Sequence, residues 1–237
     1  MIPISSQRLL SIWEQGDRLH PIDRSLLLFS LARPELEPDQ LPDLPLGTCN
    51  ASLLHLQRDN FNKHLPAWVD CPSCGERMEF DLGSMQFPPA PDAKPDSVEV
   101  MGLSFKLPTS RDLARIAGYR VEADRCGQIL FEELAEQAHQ LPADSADLES
   151  LQEQVEAAIE AADPWANLSL ALQCPACGTE DEAEFDVAHY LWDAIDSRAQ
   201  RLLDDIHCLA QAYGWSESEI LELSDGRRRS YLQRLFS

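Results

Sequence analysis

No apolar run in the chain approaches the roughly 20 residues that a bilayer-spanning helix needs, so no membrane span is expected. Met1-Ile2-Pro3-Ile4-Ser5 lacks a basic stretch ahead of an apolar core, so a secretory signal is not expected either. Positive charge is scarce. Nineteen Lys and Arg stand against 41 Asp and Glu in 237 residues, for a formal net charge of −22. Phosphate would be repelled over most of such a surface, which argues against a DNA- or RNA-binding role and favours basic protein partners. Catalytic signatures are missing too. There is no glycine-rich phosphate loop, no GxSxG, no HExxH and no HxE…PCxxC deaminase pattern, so an enzyme is not expected.

What stands out is a repeated knuckle. Cys71-Pro72-Ser73-Cys74-Gly75 and Cys174-Pro175-Ala176-Cys177-Gly178 are near copies placed far apart. The glycine after the second cysteine permits a φ > 0 turn that points backbone amides at sulfur. Residues of period two follow each knuckle (Met78 to Leu82, Ala183 to Val187), as in a strand leaving a hairpin turn. Cys71, Cys74, Cys174 and Cys177 together match the ligand count of a closed structural Zn2+ site. The alternatives are a thioredoxin-type redox pair and two unrelated surface turns. A redox CxxC opens a helix, whereas here a glycine and strand alternation follow, twice. Closing so long a loop costs on the order of 4–5 kcal/mol, against roughly 10–16 kcal/mol from a structural zinc. With four of seven cysteines in CxxC pairs, a reducing, cytoplasmic setting is expected. Cys49, Cys126 and Cys208 read as buried small hydrophobes. His64 is a fallback ligand only.

The remaining pattern is mainly helical, giving an α+β chain built around a zinc-ribbon-like element from two distant CPxCG knuckles. We divide it into N-terminal helices and a proline-rich connector (1–46), a helix with the first knuckle (47–86), a proline-rich linker (87–97), a small strand unit with a helical insert (98–163), the second knuckle (164–187) and C-terminal helices (188–237). Pro34 to Pro45 reads as extended, and Thr48 or Asn50 as the cap of the next helix. Val98 to Leu107 reads as one or two strands bent at Gly102, and Thr109 to Asp112 as a capping box. A helix is expected from about Glu122 to Gln140, and a very acidic one over 144–162. Thr179 to Glu182 reads as an acidic hairpin tip. A long helix follows to Tyr213, stopped by Gly214, then short helices capped by Ser216 or Ser218 and begun by Ser224. That tail, with Arg227, Arg228 and Arg229, has the outline of a helix-turn-helix, but no broader basic face supports a nucleic-acid role.

Several strings, in order, resemble a known family: Leu44-Pro45-Leu46-Gly47, CPSCGERMEF, FKLPTSRDLARIAG, LSLALQCPACGTEDEAEFDV and HCLAQAYGWSESEILELSDGRRRSYLQRL. From Leu44 to Leu235 the chain resembles the bacterial branch of the T4-type baseplate hub assembly chaperones, found in prophages, tailocins and extracellular contractile injection systems. The resemblance implies a non-enzymatic assembly factor for the hub of a contractile tail, with hub or spike proteins as partners and the four cysteines as ligands. Trp215, Ile220, Arg227, Arg228, Arg229, Tyr231, Leu235 and Phe236 are the candidate partner-binding residues. The rival readings are a minor structural component kept in the baseplate and a zinc-ribbon transcription or nucleic-acid factor.

Overall fold

The computed structural model describes residues 4–61, 66–81, 96–119 and 123–235, with the side chains of residues 123 and 124 left out. The linker over 87–95, His64 and Phe236 lie outside the described residues. Two compact units are present. One comprises Met1–His20 with His189–Ser237, and the other is Pro21–Ala188. Among the described residues no helix is long and apolar enough to cross a membrane. The chain is mainly helical α+β, and the described residues form three separate two-stranded antiparallel sheets.

In the first unit α1 (Ser6–Gly16) packs on the long α7 (Val187–Tyr213), whose opening two residues belong to the other unit. Their apolar stripes supply the buried residues Leu9, Ile12, Leu191, Ile195 and Leu202. Trp13 Nε1 donates to Asp196 Oδ1 at 2.7 Å. At Gly16 the Trp192 ring lies directly against the helix. A Cβ built there would sit 2.4 Å from the Trp192 ring. Gly16→Ala therefore gains up to about 1 kcal/mol of helix propensity but overpacks a buried indole, at about 1–3 kcal/mol. Chemical denaturation is expected to show a net loss of stability.

Gly214, at φ 69°, ends α7 in the left-handed turn that glycine tolerates. Ser216 then forms a capping box with Glu219 and opens α8 (Glu217–Leu221), and α9 spans Asp225–Leu235. The Ser216 side chain takes this role, not Ser218.

The second unit begins with α2 (Pro21–Ala32) and α3 (Leu46–Asn60). The stretch expected to be extended instead winds into a 3₁₀ turn over Pro38–Asp43, because Pro38 presets the first helical φ. α3 also starts earlier than expected, after Pro45, so Thr48 and Asn50 lie inside it. Asn50 donates to the Trp165 and Ala166 carbonyls instead. The helix end is capped from far away. Asp163 Oδ2, itself buried, accepts from Gly47 N at 2.9 Å.

β3 (Ser97–Val100) and β4 (Leu103–Lys106) form a hairpin whose two-residue loop, Met101-Gly102, has φ 51° and 81°. Positive φ at both positions is the type I′ geometry that matches strand twist. Thr109 and Asp112 form the capping box of α4 (Ser110–Ala117). The next helix, α5 (Ala123–Leu134), is shorter than expected, with a 3₁₀ turn at Ala138–Gln140. α6 spans Ser145–Ala162 and is capped by Asp144. Phe105 stacks on Phe131, ring centres 5.4 Å apart, in a core completed by Val100, Leu151 and Val155.

Candidate metal centre

Each knuckle joins two antiparallel strands. The first links β1 (Pro66–Asp70) to β2 (Arg77–Asp81), and the second links β5 (Ser169–Gln173) to β6 (Glu180–Glu184). The two turns repeat one hydrogen-bond scheme. Cys71 N donates to the Glu76 carbonyl and Gly75 N to the Cys71 carbonyl, both at 2.9 Å. Cys174 N to Thr179 O and Gly178 N to Cys174 O are the same bonds at the same length. Gly75 and Gly178 hold φ 73° and 75°, where a side chain would be strained. Glu180 to Glu182, expected at a hairpin tip, lie instead on β6, since the cysteine turn itself is the tip.

The fold brings the four sulfurs together. Cys71 Sγ lies 3.7 Å from Cys177 Sγ, and Cys74 Sγ 3.6 Å from Cys174 Sγ. All four lie within 4.8 Å of one another. Sulfurs bonded at about 2.3 Å to one tetrahedral ion would be about 3.8 Å apart, so the donor set fits a single metal. Cys71 and Cys174 are buried against Met78, Val69 and Leu172, whereas Cys74 and Cys177 face outward. The closest approaches run between knuckles, so a shared ion would tie residues 100 and 106 positions apart.

Electrostatics give the same reading. The Thr179 hydroxyl, 3.2 Å from Cys177 Sγ, and the Thr179 backbone pull the Cys177 thiol down to about 6, helped by Cys74. At Cys74 the Glu76 backbone is the largest influence and lowers the pKa. Hydrogen bonds with Cys177, Cys174 and Cys71, together with desolvation, outweigh it and push Cys74 up to about 12. Cysteines bind a metal as thiolates, so an ion at this site would have to draw the remaining protons off the cluster. Cys49 differs: burial raises its thiol to about 11, consistent with an inert packing residue. Cys126 and Cys208 are only half-buried.

The expected partner surface fares differently. Ile220 is fully buried at 0% exposure and Arg228 is 6% exposed, so neither presents a surface. Arg228 reaches Asp225 Oδ1 at 2.7 Å, Asp205 Oδ2 at 3.2 Å and Ser6 Oγ at 3.3 Å. It answers acidic side chains of its own unit. Burial is the main influence on Asp205 and raises its pKa, and Arg228 opposes it. Arg227 and Arg229 are exposed, and Leu235 is half-buried. Trp215 and Tyr231 pack edge-on at 4.9 Å. Tyr213, which the sequence reading missed as a contact residue, stacks on Trp215 at 4.7 Å. Its place one residue before the helix-ending Gly214 was the available signal. Trp68 was missed as well. It is 58% exposed on β1, with the Arg77 guanidinium 4.0 Å from its ring centre.

Among known proteins, no family model matches the chain, no curated protein matches its sequence and no solved structure matches its fold.

Proposed function

We propose that this protein is a non-enzymatic, zinc-stabilised assembly factor for the baseplate hub of a phage-like contractile tail or injection system, acting in the bacterial cytoplasm. The observation that carries the reading is the sulfur tetrad. Four thiolates fill a tetrahedral ion's coordination, leaving no position for water or substrate, so its role is to hold the fold. Zn2+ is the ion we assign, because two CPxCG turns supplying four sulfurs match the donor set of a closed structural zinc site. A colourless protein with one equivalent of zinc is expected; a coloured iron centre would overturn the assignment.

The contractile-tail part rests on the ordered strings from Leu44 to Leu235. They span the first turns of α3, both knuckles, the α4 capping box and the tail from α7 to α9. A metal-closed body with a net charge of −22 suits an escort that covers unpaired interfaces of basic partners until assembly. Expression from the native operon tests this. Co-purification with hub or spike proteins is expected, together with absence from the finished particle by mass spectrometry. Presence at fixed stoichiometry would make it a structural component instead. Salt-sensitive retention on DNA, without tail proteins, would favour the nucleic-acid reading.

A further inference from the structure

An open cavity of about 460 Å³ lies in the 21–188 unit, with lining residues from α4, α5 and α6. Leu113, Leu130, Leu134, Val155 and Ile159 give it an apolar floor. Two further features of its lining serve no evident purpose within the chain.

The first is Gly127, in the middle of α5. Its backbone is not left-handed, and apart from its chain neighbours and the backbone of its own helix no described atom lies within 4 Å of a Cβ built there. An interior helical glycine costs about 0.5–1 kcal/mol relative to alanine. Among the described residues neither backbone conformation nor packing calls for it, so what it provides is close access to the α5 backbone from the cavity.

The second is a pair of carboxylates, Glu156 and Glu160, one turn apart on α6. Like charges at this spacing destabilise a helix by about 0.2–0.5 kcal/mol. Among the described residues neither forms an ion pair, and Glu156 accepts only from Gln152 Nε2 at 2.8 Å. Among the described residues no lysine or arginine lines the cavity.

We propose that this groove docks a basic amphipathic helix of a partner protein. The apolar face of the helix enters over the half-buried Leu113, Leu130 and Ile159, above the buried Leu134 and Val155. Gly127 lets its backbone approach to helix-packing distance, roughly 8–10 Å between axes. Its lysines or arginines pair with Glu156 and Glu160. Charge complementarity selects this occupant, since an apolar floor bordered by unpaired carboxylates disfavours an acidic helix or a second copy of this acidic chain. The inference stands apart from the contractile-tail reading and does not depend on it.

The test titrates the full-length, metal-loaded protein with a synthetic helix of about 18 residues, leucines on the i, i+3, i+4, i+7 period and lysines elsewhere. A peptide of identical composition with the leucines scrambled controls for bulk charge attraction. At about 0.15 M salt the periodic peptide is expected to bind at least about tenfold tighter than the scrambled one. Gly127→Leu, which fills the groove, and Glu160→Lys should each weaken it about tenfold, whereas Glu79→Lys on β2 should not. Gly127→Ala is expected to melt no lower than the wild type while still losing affinity, which separates docking from folding. Equal binding of the two peptides, or unchanged affinity in the Gly127 variants, overturns the proposal. So does a dimer that Gly127→Leu dissolves, because the occupant would then be a second copy.

Discussion

Cys74→Ser and Cys177→Ser are each expected to unfold the 21–188 unit, and a strong chelator should do the same to the wild type. The three hairpins are two-stranded, and such hairpins are marginal alone in water. Among the described residues, Met78, Val69 and Leu172 are the apolar side chains packed against the buried cysteines. That apolar cluster is too small to close a loop of 100 residues, which costs about 4.7 kcal/mol in chain entropy. A metal bound by four cysteines supplies roughly 10–16 kcal/mol, comparable to the whole stability of a domain at about 5–15 kcal/mol. Loss of a ligand should therefore abolish the cooperative melt, not shift it by a few degrees. The measurement is metal content with thermal melting of each variant. Cys126→Ser and Cys208→Ser, outside the tetrad, should keep one equivalent of metal. Unchanged melting of a metal-free wild type would falsify the metal centre. Acid should act in the same direction as the chelator, since the ligands bind as thiolates and metal affinity falls as pH falls.

The second large effect is at Arg228. Arg228→Leu is expected to destabilise the first unit by about 1–3 kcal/mol, the range for removing a buried hydrogen-bonding partner, because the guanidinium is buried while its partners Asp205 and Asp225 remain part-exposed. The guanidinium links α9 to Asp205 on α7 and to Ser6 at the start of α1. Without it Asp205 keeps the burial cost that already raises its pKa and loses the charge that opposes it. A carboxyl whose folded pKa lies above its unfolded value favours the folded state when protonated and costs stability when ionised. The gap between variant and wild type should therefore be widest near neutral pH and narrow on acidification through the folded pKa of Asp205. Denaturation of both proteins across acid pH checks the sign. Arg227→Leu, at an exposed position, should change stability by no more than about 0.5 kcal/mol. If Arg228→Leu were equally mild, the residue would be free to serve a partner, as the tail's basic run first suggested.

Elements with local chemical signals were legible. Gly214 stops α7, and Thr109 and Asp112 cap α4, because each signal acts within four residues; Gly102 was read only as a bend in one or two strands, and the structure makes it the second residue of the β3–β4 hairpin turn. The start of α3 was misplaced for the converse reason. Its capping group is Asp163, 116 residues away, while Thr48 and Asn50 offered nearer but unused caps. At 38–43 the prolines were read as extended chain, although proline's fixed φ serves a 3₁₀ turn equally well.

The sequence by itself determined the knuckles: two cysteines three apart, followed by glycine, define a turn whose amides and sulfurs are set by local covalent geometry. It also set the ligand count and the acidic charge. Only the tertiary structure decided that Cys71 meets Cys177 and Cys74 meets Cys174, that Arg228 turns inward, and that Gly127 faces an open groove bordered by unpaired carboxylates. Those facts depend on which distant segments come into contact. Chain connectivity fixes what each residue can offer, and packing fixes what it meets.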